Sequence, residues 1–144
     1  MATQDLTHTT ITLRAAERAD IEAISRFIQP FVSEGRLLER TFDEIEQWLP
    51  NFFIAEAGGE IVGCAALEVY SRKLAEIRSL AVSPKVQGMG VGRMLVQACV
   101  DLARQLNVLE VMAITSSEDF FKACGFDFTL PGEKKALFIQ TRDK

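Results

Sequence analysis

Three alternate glycines stand in the middle of this 144-residue sequence, between a strand-like apolar segment and a long amphipathic stretch. Gly88, Gly90 and Gly92 would let the backbone approach an anion with no Cβ in the way. The first N–H groups of the helix that follows would point at the same anion. The pattern favours a phosphate-binding turn, to which Arg93 or Lys85 would add positive charge. Spacing by itself also allows a glycine-rich turn that binds nothing.

Two better-known phosphate-binding motifs do not fit this segment. A P-loop is excluded because no Gly-Lys-Ser/Thr sequence follows the glycines. A dinucleotide-binding fingerprint fits poorly, since the glycines are spaced Gly-x-Gly-x-Gly and lie in mid-chain rather than after the first strand. Any phosphate site here would therefore be of another type.

Charge and composition narrow the classes of function. The net charge of −4, from 16 basic and 20 acidic residues, provides no electrostatic footprint for nucleic acid, so a small molecule is the expected partner. The single histidine, His8, excludes a Ser-His-Asp triad, a Cys-His pair and a histidine-rich zinc site, and no metal is expected.

The polar start of the chain and its short apolar runs predict a cytoplasmic protein without a membrane span. Cys64, Cys99 and Cys124 lie in apolar stretches and are predicted to be reduced core residues.

Hydrophobic periodicity and turn residues predict one α/β domain over 1–144, with a core of about 10–142 and the order β-α-α-β-β-β-α-β-α-β-β. Asp20 is expected to cap the first helix and Gly35 to end it, while Thr41 and Glu44 have the spacing of a capping box. Such an order is typical of a mixed sheet with helices on both faces, an α/β or α+β sandwich. The predicted strands are Ile11–Arg14, Phe52–Ala57, Ile61–Tyr70 after a Gly58-Gly59 hairpin turn, Ala75–Val82, Leu109–Thr115, Phe126–Leu130 and Ala136–Gln140; further helices begin at Gly90 and span Glu118–Ala123.

The segment Gln87-Gly-Met-Gly90-Val-Gly92 resembles the Gln/Arg-x-x-Gly-x-Gly/Ala motif of the GNAT acetyltransferases, and the element order is similar to that family from end to end. The resemblance implies a mixed, mostly antiparallel central sheet, acetyl-CoA as co-substrate and no metal. Backbone groups of Leu80 and Val82 would pair with the pantetheine arm beside a strand bulge, and a backbone N–H there would polarise the thioester carbonyl. The residues implied to bind acetyl-CoA are Leu80, Ala81, Val82, Gln87, Gly88, Met89, Gly90, Val91, Gly92 and Arg93.

Acetyl transfer to an amine needs a group that takes the amine proton. By the same resemblance Glu76 is the candidate catalytic base, acting directly or through a water molecule. A purely structural ion pair with Arg78, two residues along the same strand face, is the alternative. The general acid is harder to place: the tyrosine position of the Phe-Tyr-x-x-x-Gly-Phe element is Phe121 here, and Tyr70 ends a different strand.

Several longer segments resemble the acetyltransferase domain of N-acetylglutamate synthase over about 110 residues. They include 30–41, 53–67, 75–76, 120–126 and a tail from 130 to 142. The implied acceptor is the α-amino group of L-glutamate, in the first step of arginine biosynthesis. A dicarboxylate needs cationic anchors, and the positions that match the synthase motifs are Arg40, Lys134 and Arg142. A solvated surface charge is the alternative for each.

The sequence departs from the synthase pattern in places. Arg78 replaces a small or apolar residue, Phe138 stands where tyrosine is common, and the 144 residues contain no segment resembling an amino-acid-kinase domain. Two other functions stay open: a GNAT enzyme for another amine, such as a different amino acid, a polyamine or a peptide N-terminus, and a non-catalytic acetyl-CoA-binding module. Since the family often pairs through its C-terminal strands, a homodimer is also an expectation.

Overall fold

The structure is a computed structural model that describes residues 10–129, 132 and 135–141. One sheet contains five strands in the order β1-β2-β3-β4-β5, with β1 to β4 antiparallel and β5 parallel to β4. The strands are β1 Thr12–Ala15, β2 Phe52–Ala57, β3 Glu60–Val69, β4 Leu74–Val82 and β5 Glu110–Met112. The helices are α1 Ile21–Ser33, α2 Phe42–Gln47, α3 Val91–Gln105 and α4 Glu118–Ala123, with short 3-10 turns at Arg18–Asp20, Leu49–Asn51 and Pro84–Val86. The predicted mixed, mostly antiparallel sheet is confirmed.

Helices cover both faces of the sheet, as the sequence predicts. One core packs α3 and α4 against the face that carries Ala65 and Leu67, and the other packs α1 and α2 against the face that carries Cys64 and Ala66. Successive strand residues point to opposite faces, so β3, which is buried from Val62 to Leu67, contributes to both cores. α3 approaches this strand so closely that a Cβ at Gly63 would lie 2.9 Å from the Leu95 side chain. The start of α3 is thereby held over β3 and β4.

The first two helices begin and end close to their predicted residues. In α1 the buried residues recur at three- and four-residue steps, and Gly35 follows the helix with φ +73°. The Thr41–Glu44 capping box is confirmed, since each side chain accepts a hydrogen bond from the other residue's backbone N–H. Asp20 differs from the prediction because its carboxylate accepts hydrogen bonds from Arg14 and from the Glu17 N–H instead of capping α1.

The hairpin between β2 and β3 forms at the predicted turn. Gly58 and Gly59 have φ +57° and +77°, the two positive values that a tight two-residue turn requires. β1, β2, β3 and β4 lie within a residue of their predicted bounds.

Of the three predicted C-terminal strands, the first is present but short, and the other two are wrong for the described residues. β5 is shorter than predicted because residues 113–117 leave the neighbourhood of β4. Residues 126–129 and 135–141 form no strand, and Leu137 and Ile139 are 91% and 86% exposed. Alternating apolar residues favour a strand where a neighbouring strand and a core receive them, and this segment has neither in the part of the chain described. Leu130 and His8 lie outside the described residues.

The cysteine prediction is confirmed for two of its three positions. Cys64 and Cys99 are unpaired and fully buried, whereas Cys124 is unpaired but half-buried. Among the helices described, none is both long and apolar enough to cross a membrane.

Candidate active site

A cleft of about 930 Å³ opens where β4 and β5 part. The two strands pair at Leu74, Ala75 and Glu76, and β4 then continues to Val82 without a β5 partner among the described residues. Residues 113–117 form the opposite wall, and the 35–40 loop and the 86–93 turn close the ends. The parting of two parallel strands therefore creates a slot lined on one side by a free strand edge.

A β-bulge bends β4 at this point. Cys64 pairs with Ala81 and Ala66 with Arg78, so two residues of β4 lie opposite one residue of β3. Ser79, in the bulge, has φ +54°, a left-handed conformation that costs a residue other than glycine about 1–2 kcal/mol. Its carbonyl accepts a hydrogen bond from the Cys64 thiol at 3.3 Å. The bulge thus lies beside Leu80 and Val82, where the resemblance to the GNAT family predicts a strand bulge.

The free edge of β4 presents backbone polar groups to the cleft. The Ser83 N–H donates to the Val62 carbonyl of β3 at 2.8 Å, and Ala81 is a register partner of Cys64. Backbone groups alternate along a strand, so those of Leu80 and Val82 point away from β3 and into the slot. A ligand lying there can pair with them in the manner of an added strand, while the buried Ala81 forms the floor.

Gly88 and Gly90 are required by backbone conformation. Their φ values are +80° and +78°, and a Cβ at either position would meet nothing within 4 Å. The turn is anchored by the buried Val86 and by the Ser83 hydroxyl, which accepts from the Lys85 N–H. The left-handed glycines therefore leave an open concavity lined by backbone.

Gly92 has a packing role that the sequence does not reveal. It lies inside α3, and a Cβ here would come within 3.1 Å of the Phe120 ring and 3.5 Å of Val82. The small residue makes room for α4 to pack against α3, and Phe120 in turn lies edge-on to Phe121. Packing of α4 against α3 is thus sufficient to require a small residue at this position.

The N-terminus of α3 completes the anion-binding geometry. The first intrahelical bond runs from the Met94 N–H to the Gly90 carbonyl at 3.0 Å, which leaves the N–H groups of Val91, Gly92 and Arg93 without intrahelical acceptors. Arg93 is exposed at the rim, and Gln87 borders the same concavity. Met89 is predicted to bind the cofactor, but its side chain packs against the core beneath the turn and does not line the cleft. Lys85 also lies off the cleft, in an ion pair with Glu60 at 2.8 Å.

Glu76 lies in the cleft wall and is only 7% exposed. Its Oε1 accepts a hydrogen bond from the Tyr70 hydroxyl at 2.5 Å, and Arg78 Nη1 lies 3.5 Å from the same oxygen. Arg78 is closer to Glu68, at 2.8 Å. The predicted contact with Arg78 exists, but Arg78 forms its shorter ion pair with the other carboxylate.

Tyr70 contacts Glu76 rather than lining the cleft. Desolvation of the hydroxyl and its hydrogen bond to Glu76 raise the pKa of Tyr70 to about 12. The phenol therefore stays protonated at neutral pH and acts as a donor. This contact was missed from the sequence, although the β3–β4 hairpin was predicted and brings residues 70 and 76 close together.

Arg40 enters the cleft from the loop before α2. Its side chain is 12% exposed, with the guanidinium carbon 5.0 Å from the centre of the Trp48 ring. Glu44 approaches to 3.5 Å, yet the buried Nε has no hydrogen-bond partner among the described residues. A buried N–H donor without a partner is costly unless a ligand satisfies it.

The remaining predicted site residues are accounted for as follows. Lys134 and Arg142 lie outside the described residues. Phe121, at the family's tyrosine position, is 8% exposed and packs in the core, so this position supplies no phenol. Within the described part of the chain, no group of three or more His, Cys, Asp or Glu residues is arranged to hold a metal ion.

Residues 19–126 match the sequence pattern of the Acetyltransferase (GNAT) family. An uncharacterized N-acetyltransferase of Chlorobaculum tepidum is 39% identical over 114 residues, which are 79% of this chain and 74% of that protein. The amino-acid acetyltransferase of Neisseria meningitidis serogroup A is 34% identical over 81% of this chain, and that of Mycobacterium tuberculosis is 32% identical over 79%. The chain spans 27% of the Neisseria protein and 67% of the mycobacterial one.

Solved structures show the same relationship. A Mycobacterium tuberculosis protein in complex with CoA superposes with a TM-score of 0.75 and 31% identity, covering 83% of this chain and 73% of that one. The N-acetylglutamate synthase of Neisseria gonorrhoeae, complexed with coenzyme A and N-acetyl-glutamate, superposes with a TM-score of 0.72 and 31% identity. That match covers 81% of this chain and 28% of the synthase.

Proposed function

Because this chain belongs to the Acetyltransferase (GNAT) family and is an acyltransferase that uses acetyl-CoA, we propose that it acetylates the α-amino group of an amino acid, with L-glutamate as the preferred acceptor. The observation that carries the choice of acceptor is Arg40, a largely buried guanidinium with a free Nε–H in the same cleft as Glu76. A carboxylate is the ligand best suited to such a donor.

The cleft fits the proposed CoA site in two respects. The concavity at Gly88 and Gly90, with the free N–H groups at the start of α3, suits the pyrophosphate. The outward-facing backbone groups of Leu80 and Val82 suit an extended chain such as the pantetheine arm. In this proposal the turn and the strand edge hold acetyl-CoA, and the bound co-substrate supplies the acetyl group.

Glu76 is the proposed base. Removing a proton from a lysine-like ammonium at pH 7 costs about 4–5 kcal/mol, so a proton acceptor near the amine lowers the barrier. Oε1 is occupied by the Tyr70 hydroxyl, whereas Oε2 has no hydrogen bond to any described residue. Oε2 is therefore the atom proposed to take the proton, directly or through a water molecule.

Arg40 is the proposed ligand for one acceptor carboxylate. Trp48 stacks against its guanidinium and also lies 5.8 Å from that of Arg78. The ring therefore holds Arg40 in place and reduces the entropy cost of binding. Lys134 and Arg142 remain proposed as further ligands on the resemblance to the synthase motifs.

The relatives support an amino acid as acceptor. Proteins named amino-acid acetyltransferase match this chain at 34% and 32% identity, and a structural neighbour is N-acetylglutamate synthase with N-acetyl-glutamate bound. A role in the first step of arginine biosynthesis and homodimer assembly are parts of the proposal that rest on the resemblance to the family. A cytoplasmic location is proposed from the polar start of the chain and its short apolar runs. A GNAT enzyme for another amine is the alternative, and an acidic acceptor such as glutamate is favoured over a polyamine because Arg40 lines the cleft.

The decisive experiment measures CoA release from acetyl-CoA with L-glutamate, L-glutamine, L-aspartate, L-lysine and spermidine in parallel. The proposal requires the highest kcat/KM with L-glutamate. A higher kcat/KM with lysine or spermidine would overturn the acceptor assignment.

Glu76→Gln tests the base: we expect kcat to fall by about 10²- to 10⁴-fold while acetyl-CoA still binds. Glu46→Gln, which removes a half-buried carboxylate paired with Arg18 away from the cleft, is the matched control.

A further inference from the structure

A cluster of four polar side chains lies behind the cleft at the β3–β4 end of the sheet. Tyr70 is at its centre, and its hydroxyl lies 2.5 Å from Glu76 Oε1, 3.1 Å from Arg78 Nη1 and 3.2 Å from Glu68 Oε1. Of the four residues, Glu76 and Arg78 line the cleft, whereas Tyr70 and Glu68 do not. Tyr70 therefore contacts the proposed base from outside the space that a substrate would occupy.

We propose that Tyr70 is a positioning residue for Glu76, holding Oε1 so that Oε2 is presented to the acceptor amine. The inference rests on the proposed role of Glu76 as the base. The strongest contact of Tyr70 is with Glu76, because its one hydroxyl proton goes to the nearest carboxylate oxygen and its phenolic oxygen accepts from Arg78.

The surroundings hold Tyr70 itself in a defined place. Its backbone N–H donates to the Leu74 carbonyl at 3.0 Å, which closes the turn between β3 and β4. Arg78 is fixed in turn by Glu68 at 2.8 Å and by Trp48, whose ring centre lies 5.8 Å away. The arginine that departs from the synthase pattern thus acts here as the support of the tyrosine.

The cluster also limits the contact between Arg78 and the base to a long one. The phenolic oxygen is an acceptor for Nη1, and the Nη1 to Glu76 distance is 3.5 Å, against 2.8 Å to Glu68. Without the hydroxyl, Arg78 loses an acceptor and is free to move onto Glu76 as a direct ion pair. If the Glu76 carboxylate moves toward Arg78, it turns away from the acceptor amine. We therefore expect kcat to fall, while the KM values for the substrates change little.

The test is a double-mutant cycle of Tyr70→Phe and Glu76→Gln, assayed with acetyl-CoA and L-glutamate, or with the best acceptor found. Tyr70→Phe alone is expected to lower kcat about tenfold while both KM values change by less than about threefold. In the Glu76→Gln background the same change should have no further effect, because the group it positions is gone. Glu68→Gln is expected to lower kcat less, since it loosens only the support of Arg78.

Three results would overturn the inference. These are an unchanged kcat in Tyr70→Phe, a change confined to the KM of the acceptor, and an equal loss in the wild-type and Glu76→Gln backgrounds. Full turnover by Glu76→Gln would instead remove the proposed base, and with it any role for Tyr70 in positioning that base. Because Tyr70 is 49% exposed, the phenylalanine variant should fold, which its thermal midpoint verifies.

Discussion

Glu68 and Glu76 are register partners across β3 and β4, so two carboxylates stand directly opposite each other on one face of the sheet. Like charges in this arrangement repel. The structure separates them with Tyr70 and Arg78, which take Glu76 and Glu68 respectively as their nearest carboxylates. One carboxylate is thereby paired with a cation at the edge of the cluster. The other, Glu76, lines the cleft and accepts its shortest hydrogen bond from the neutral hydroxyl of Tyr70, which lies outside the cleft.

Arg40 is the proposed ligand of the acceptor carboxylate, and its replacement tests that role. Arg40→Met keeps an unbranched side chain against Trp48 but removes the donors, so the KM for L-glutamate should rise roughly 10- to 100-fold. The KM for acetyl-CoA should stay unchanged, and steady-state kinetics with each substrate varied in turn measures both. Arg26→Met, at a 74% exposed side chain, is the control. An equal rise in the KM for L-glutamate and in the KM for acetyl-CoA would contradict the assignment of Arg40 to the acceptor carboxylate.

Gly92 provides a packing prediction. A methyl group at this position meets the Phe120 ring at 3.1 Å, so Gly92→Ala should lower the free energy of unfolding by about 1–2 kcal/mol in urea titrations. In a Phe120→Leu background the loss should shrink, because the obstructing ring is gone. Gly90→Ala is the contrast: its cost of about 1 kcal/mol comes from φ +78°, so Phe120→Leu should not rescue it.

The pH dependence of stability should reveal the Arg14–Asp20 pair. The hydrogen bonds from the Arg14 guanidinium, 2.7 Å away, lower the pKa of Asp20 below the ordinary value of an aspartate side chain. A carboxyl group with a lowered pKa stabilises the folded state above its unfolded pKa, and that stability is lost as the pH falls through the folded pKa. Asp20→Asn should therefore reduce the free energy of unfolding at pH 7 and make little difference near pH 2. A difference that persists in acid would contradict the ion pair as its source, and Glu39→Gln, at an exposed glutamate, is the control.

Thiol labelling should separate the cysteines. Burial raises the pKa of Cys64 and of Cys99 to about 12, so neither presents a thiolate or an accessible sulfur at pH 8. Cys124 is half-buried and should react first with iodoacetamide, while the other two react only on unfolding. Mass spectrometry of the labelled peptides identifies the site, and Cys124→Ser should abolish the early phase. Early labelling of Cys64 would show that the sheet opens at its centre.

Much of the fold follows from local signals. The buried stripe of α1, the Thr41–Glu44 capping box and the two glycines of the hairpin turn act within a few residues of the chain, and each is found where predicted. The left-handed turn at Gly88 and Gly90 is also a local signal, since only glycine adopts positive φ readily. The bounds of β2, β3 and β4 were likewise predictable from their apolar runs.

Other features depend on residues distant in sequence. The pairing of β5 stops at Met112 because the chain turns away to form the cleft wall, and the tail at 135–141 has no described strand beside it. Gly92 is explained by Phe120, which is 28 residues away. Arg40 reaches the cleft through the path of the loop before α2, and nothing in its local sequence predicts the unpartnered Nε.

The sequence by itself thus predicted the helices, the strands β1 to β4 and the turn that suits an anion, and its resemblance to the GNAT family indicated the candidate base. Tertiary structure decided what that base touches: Tyr70 at 2.5 Å, with Arg78 directed chiefly to Glu68. The physical reason is the distance along the chain over which each kind of interaction acts. Backbone conformation and hydrophobic periodicity are local properties of a chain, whereas side-chain contacts depend on strand register, on a bulge at Ser79 and on rotamers that packing selects.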